Sequence, residues 1–232
     1  MLAVYDALSP GIGLMQPCRA SRLRPRDGSR RRRPPRRWRS VLLRCVVMHT
    51  AARERAALLS FFLPLTRRTC AELRLGDHVI AAYLADVLVE FARAERLWRL
   101  RDLEGRRLTS IVEMLGRGPA APGLEGERDF LRYVGDFALF MSGMFRPWAE
   151  RGGFLGVYLA DGALAYARVA ALGDAVPRRE RLILAELATR FEPYAGALDY
   201  LRRVHLTGLA GPDPQSAFLR EVAAIVGRAS RN

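Results

Sequence analysis

The chain has 232 residues, 38 basic and 24 acidic side chains, and a formal charge of +14. Every basic residue is Arg, and the absence of Lys excludes Walker-type phosphate loops, Schiff-base chemistry and pyridoxal phosphate attachment. Lys is missing and Asn occurs once, at Asn232, so part of the Arg excess is the mark of GC-rich coding, as in many bacterial genomes.

The charge is unevenly placed. Residues 1–47 carry 12 Arg against Asp6 and Asp27, whereas residues 48–232 carry 26 Arg against 22 acids. Between residues 19 and 39 there are 11 Arg in 21 positions, with Pro25, Pro34 and Pro35 among them. Self-repulsion and proline prevent a packed core there, which predicts a disordered leader. Three readings of the leader stand side by side. In the first it is a nucleic-acid tail, with Arg30, Arg31, Arg32, Arg33, Arg36, Arg37 and Arg39 on phosphates and Trp38 stacking on a base. In the second, Arg36-Arg37-Trp38-Arg39 followed by Val41-Leu42-Leu43 is a twin-arginine-like export signal, although Arg44 interrupts its apolar run. In the third the start codon is assigned too far upstream and the protein begins at Met48. The expected division is a leader, 1–47, and one domain, 48–232. Nucleic acid is an expected partner only if the leader belongs to the protein. Mass spectrometry of the native N-terminus separates the third reading from the others.

Cys18, Cys45 and Cys70 are odd in number and lack C-x-x-C spacing, so no disulfide framework is expected and a reducing cytoplasm fits. No run reaches the ~18 consecutive apolar residues of a spanning helix.

From Met48 the pattern is helical nearly throughout. Residues 50–68 form the first expected helix, which Pro64 kinks or ends. Asp77 is a plausible N-cap for the next, whose buried stripe is Ile80, Tyr83, Leu84, Val87, Leu88 and Phe91, extending toward Leu97 and Trp98. Ser110-x-x-Glu113 has the form of a capping box. Gly116 to Gly123 is loop. A helix over 127–145 has Phe130, Val134, Phe137, Met141 and Phe145 at helical spacing and ends before Pro147. The next covers 153–172. Pro177 and Pro193 sit where helices begin, and Asp213-Pro214 opens a last helix over 214–229. The expected fold is all-α: a single antiparallel bundle of seven to eight helices, because short loops make neighbours run in opposite directions. Gly in a helix interior costs ~1 kcal/mol relative to Ala. Gly135 and Gly143 in one helix, and Gly156 and Gly162 in the next, therefore predict that these two helices cross closely at those residues.

The chemistry-bearing residues are few. His49, His78 and His205 stand in no metal-binding spacing, so no metal and no cofactor are expected. No G-x-S-x-G occurs, and Ser142 lies in an apolar helix. The unusual feature is acid among apolar and tyrosine residues. Asp136 follows Arg132 by four, and Asp161 precedes Gly162. A buried carboxylate must be paired or hydrogen-bonded, and Arg132, Tyr133, Tyr158 and Tyr166 are the candidate partners. If Asp136 and Asp161 face one inter-helix cleft they form a polar ligand site. Otherwise they belong to a structural network that sets helix register. Glu186–Arg190 and Asp199–Arg203 have the i,i+4 spacing of surface ion pairs.

Gly135-Asp136-Phe137-Ala138-Leu139-Phe140, Gly143-Met144-Phe145 and Tyr158-x-x-x-Gly162-x-x-x-Tyr166 resemble a family of uncharacterised bacterial all-helical proteins. Its pattern is G-D-x-x-L-F-x-x-G-x-F followed by Y-x-x-x-G-x-x-A-Y. The likeness covers about residues 129–170 and implies a fold without an activity. Where that family often has paired aromatics before the Gly, this chain has Tyr158 alone. The leading expectation is a non-enzymatic cytoplasmic bundle acting through protein contacts, with a protein partner or a second copy of itself. The alternatives are a small molecule or substrate held by Asp136 and Asp161, and nucleic acid held by residues 19–39.

Overall fold

A computed structural model describes residues 36–92, 100, 108, 110–119, 121–206, 218, 220 and 222, with residues 36–50 as backbone only. The chain divides into two compact units, Met1–Leu42 and Leu43–Asn232. Residues 36–42 of the first unit are helical. The contacts, cavities and sites below belong to the second.

Eight α-helices are seen among the described residues: α1 (Arg36–Glu72), α2 (His78–Phe91), α3 (Ile111–Arg117), α4 (Gly123–Met144), α5 (Arg146–Arg151), α6 (Leu155–Ala171), α7 (Arg178–Thr189) and α8 (Phe191–His205). A 3₁₀ turn, Gly173–Ala175, joins α6 to the segment before α7. Among the described residues no helix is long and apolar enough to cross a membrane. The all-helical expectation holds, with three adjustments. The first helix begins at Arg36 and runs through Pro64 to Glu72 instead of stopping near residue 68. The extension of α2 toward Leu97 and Trp98 lies outside the described residues. So does most of the last expected helix, of which Phe218, Arg220 and Val222 are described as helical.

Local chemistry accounts for the helix starts. The Asp77 side chain accepts from the backbone N–H groups of Val79 and Ile80, satisfying two donors that the first turn of α2 leaves open. Ser110 and Glu113 form the full capping box at the head of α3, each side chain accepting from the other's backbone N–H at 3.2 Å. Pro147 stands in the first turn of α5, and Pro177 immediately precedes α7.

The core is aromatic and centres on α4. Phe91 from α2 packs on Tyr133, Phe137 and Phe140, with ring centroids 5.8, 6.0 and 5.1 Å away. Phe140 continues the cluster to Phe145 and Phe218. Burying one such side chain contributes ~1.5–3 kcal/mol. Contacts between α4 and α6 run in opposite chain order, Glu127 with Arg168 and Ala138 with Gly162, so these helices are antiparallel.

The small residues explain how close the approach is. A Cβ on Gly135 would lie 2.5 Å from the Tyr166 ring. One on Gly162 would lie 2.6 Å from the Ala138 Cβ and collide with the Phe191 ring. The predicted crossing of α4 and α6 therefore holds at Gly135 and Gly162. It does not hold at the other two glycines. Gly143 abuts Leu198 and Ala195 of α8, and a Cβ on Gly156 would meet open space. Gly156 lies in the first turn of α6, off the face that α4 covers.

The ion pairs also divide. Glu186–Arg190 is partly exposed at 3.3 Å, and Glu186 also accepts from the Tyr194 hydroxyl at 2.8 Å. Asp199 is buried rather than on the surface, and holds both Arg202 at 2.7 Å and Arg203 at 2.9 Å. Its helix face turns inward, and two guanidinium groups offset the cost of burying the carboxylate.

Candidate functional site

Asp136 occupies the middle of α4, one residue after the glycine that admits Tyr166. Its Oδ1 accepts from the Tyr83 hydroxyl at 2.6 Å and the Tyr166 hydroxyl at 2.7 Å. The two tyrosines come from α2 and α6, so a single carboxylate oxygen ties three helices together. The other oxygen, Oδ2, stands 3.8 Å from Arg132 Nε, beyond hydrogen-bonding distance. Arg132 lies closer to Glu180 of α7, with Nη1 to Oε1 at 3.0 Å, and its guanidinium sits 5.6 Å from the centre of the Tyr83 ring.

The electrostatics follow from burial. The Asp136 side chain is 15% exposed. Burial, opposed by Arg132 and by the hydroxyls of Tyr83 and Tyr166, pushes its carboxyl up to about 6. Burial and the neighbouring carboxylate push Tyr83 and Tyr166 well above the ordinary phenol, so both remain neutral donors. Burial works against the charge on Arg132, and Tyr83, Asp136 and Glu180 outweigh it and hold the guanidinium charged.

Asp136 also lines an open cleft of about 330 Å³. Arg55 reaches it from α1; Tyr83, Asp86, Val87 and Glu90 from α2; Asp129, Arg132 and Tyr133 from α4. Arg55 and Asp86 meet across the α1–α2 side at 2.6 Å, each about half exposed. Burial raises the Asp86 carboxyl, with Arg55 and Arg132 pulling the other way. Asp129 is paired with Arg128 at 3.0 Å.

The residues expected from sequence are only partly assembled. Asp136, Arg132 and Tyr166 form one network, and Tyr133 lines the cleft with its ring on Phe91 and Phe137. Tyr158 is buried 6.1 Å from Phe137, and burial raises its hydroxyl. Asp161 does not join Asp136 in the cleft. Tyr158, Gly162 and Tyr166, spaced by four, face α4, and Asp161 lies ~100° around α6 from Gly162. The shared two-aspartate cleft is therefore replaced by a cleft holding Asp136 and the α2 acids Asp86 and Glu90. Arg30, Arg31, Arg32 and Arg33 lie outside the described residues, and Arg36, Arg37 and Arg39 are described only as helical backbone. Among the described residues no group of three or more His, Cys, Asp or Glu is placed to hold a metal ion.

Sequence reasoning missed Tyr83, Glu180 and the α1–α2 wall. Tyr83 reads as one more member of an apolar stripe, yet a buried tyrosine needs a partner for its hydroxyl, and that requirement was the available signal. Comparison with protein-family models, with curated proteins and with solved structures gave no match.

Proposed function

We propose that the chain is a helical binding protein that takes a small polar molecule in the cleft between α1, α2 and α4. The observation that carries this reading is Asp136: a largely buried carboxylate on the cleft wall, with one oxygen committed to two tyrosine hydroxyls and the other without a hydrogen bond from Arg132. A few convergent polar groups in a concave site are the usual mark of ligand recognition. A cytoplasmic setting accords with this reading, since Cys70 is a free, buried thiol. The test is a fragment screen read by NMR on the full chain. Hits should converge on the ring resonances of Tyr83 and Tyr133. Hits scattered over the surface, or none at these two rings, overturn the proposal.

Protein contact is a second reading, favoured by Trp148 and Phe154. Their rings lie 5.9 Å apart, and the two residues are 39% and 49% exposed. An exposed aromatic pair is the residue chemistry of an interface hot spot. Sedimentation of the wild type and of Trp148→Ser over a range of concentrations tests it. A concentration-dependent dimer that the substitution abolishes supports the reading, and a monomer throughout with no partner-dependent shift removes it.

A further inference from the structure

A second cavity, of about 390 Å³, opens between the start of α2 and α7 and shares no lining residue with the cleft at α1, α2 and α4. Much of its lining is aliphatic: Val79 and Ile80 from α2, Leu182 and Ile183 from α7. Leu182 is 63% exposed, so this apolar surface is left uncovered. Three charged side chains share the lining, and they differ in what they already hold. Glu186 is taken, its Oε1 accepting from Tyr194 at 2.8 Å and from Arg190 at 3.3 Å. Asp77 is half taken. Its Oδ1 accepts from the backbone N–H groups of Val79 and Ile80, and among the described residues no donor is seen on Oδ2. Arg179 has no hydrogen bond or ion pair with any described residue. Asp77 and Arg179 therefore bring opposite charges to one cavity without pairing with each other.

We infer that this cavity takes a zwitterionic α-amino acid with an aliphatic side chain. The ligand carboxylate accepts from the Arg179 guanidinium, the ligand ammonium donates to Asp77 Oδ2, and the hydrocarbon chain packs on Val79, Ile80, Leu182 and Ile183. A simple anion would meet the Asp77 carboxylate, and a simple cation the Arg179 guanidinium. A molecule carrying both signs satisfies each. A guanidinium holds a carboxylate through charge-assisted hydrogen bonds, and the apolar lining supplies the non-directional part of the affinity. An apolar cavity of this size with a few placed polar groups has the make-up of a small-molecule site. The bonds to Val79 and Ile80 fix the Asp77 carboxylate before any ligand arrives, so little ordering is lost there on binding.

The experiment titrates the full chain with L-leucine, 4-methylpentanoate and 3-methylbutylamine at pH 7.5 and low salt. The second is leucine without its ammonium, and the third is leucine without its carboxylate. Calorimetry follows the heat, and NMR follows the methyl groups of Val79, Ile80, Leu182 and Ile183. Leucine should saturate with shifts at these methyls, and each half-molecule should bind at least fivefold more weakly. Arg179→Gln should lower the leucine affinity at least fivefold. Asp77→Asn should lower it at least threefold while leaving α2 capped, because Asn caps as well as Asp. Arg178→Gln, at the neighbouring arginine outside the lining, should leave it within twofold. Binding of either half-molecule as tight as that of leucine overturns the zwitterion assignment. Leucine binding that neither Arg179→Gln nor Asp77→Asn weakens overturns it too. No methyl shift with any of the three removes the cavity as a binding site. The rings of Tyr83 and Tyr133 report the other cleft, so the two sites stand or fall separately.

Discussion

Helix α4 meets its neighbours differently on its two sides. Toward α6 and α8 it presents Gly135, Ala138 and Gly143, and the gap is closed by Tyr166, Gly162 and Leu198. Toward α1 and α2 it presents Asp129, Arg132 and Asp136, and an open cleft remains. Small residues let backbones approach until no space is left. Long charged side chains keep their helices apart because each needs water or a partner. Asp136 sits where the two sides meet, bonded to Tyr166 on the closed side and to Tyr83 on the open one. One helix thus supplies both a rigid seam and a polar opening, and the seam holds the opening's central carboxylate in place.

The closed side should be the more sensitive. Gly162→Ala places a methyl against Ala138 and Phe191 and should cost ~3 kcal/mol, as overpacking in a close seam does. Gly156→Ala, with nothing near its Cβ, should instead gain a few tenths of a kcal/mol or more from helix propensity. Urea denaturation of both variants checks the contrast, and equal costs would remove the distinction between the two glycines.

Asp136 comes next, through its dependence on pH. Its carboxyl is raised from 3.8 to about 6 in the folded chain, so between those values the folded protein holds a proton that the unfolded chain has released. The stability it contributes is full below pH ~4 and is lost as pH rises through about 6, ~2–3 kcal/mol in all. Asp136→Asn removes that loss while its amide oxygen still accepts both hydroxyls. The variant should therefore gain on the wild type between pH 4 and pH 7, as read by denaturation at stepped pH. A difference that does not change with pH would mean that Asp136 titrates alike in the folded and unfolded states.

Tyr166→Phe should cost ~1.5–3 kcal/mol for one lost hydrogen bond to a carboxylate. It should also raise the Asp136 midpoint further, because a donor that favours the ionised form is gone. Carboxyl NMR reads the midpoint directly, and an unmoved value would show that the Tyr166 hydroxyl does not stabilise the charged form. The smallest effect belongs to the open side. Arg55→Ala breaks a half-exposed pair with Asp86 and should change stability by less than ~0.5 kcal/mol. A loss of several times that would show the cleft wall to be as tightly built as the seam.

The family resemblance expected of residues 129–170 would carry no activity with it. The functional argument therefore rests on the residues themselves. Of these, Asp136, Arg132, Tyr133 and Tyr166 were visible as a cluster of acid, base and tyrosine on neighbouring helices. Asp161 was visible in the same way, and its α6 rotation takes it elsewhere. A carboxylate among apolar residues announces that a partner exists without saying which helix supplies it.

Periodicity, caps and breakers were enough to determine the all-helical architecture and the starts of α2, α3 and α7, and the helix glycines announced a close crossing of α4 and α6 without telling Gly135 and Gly162, which make it, from Gly143 and Gly156, which do not. These depend on contacts within one turn or on the presence of a side chain, which the sequence states directly. Tertiary structure alone decided that Tyr83 and Tyr166 share one oxygen of Asp136, that Arg132 turns to Glu180, and that Asp199 is buried between two arginines. It alone decided that a cleft lined by Asp86, Glu90, Asp129 and Asp136 opens beside Arg55 and Arg132. The reason is that the angle and rotation of one helix against another are set by the packing of all of them together. A rotation of ~100°, one residue's worth, is the difference between Gly162 in the seam and Asp161 outside it.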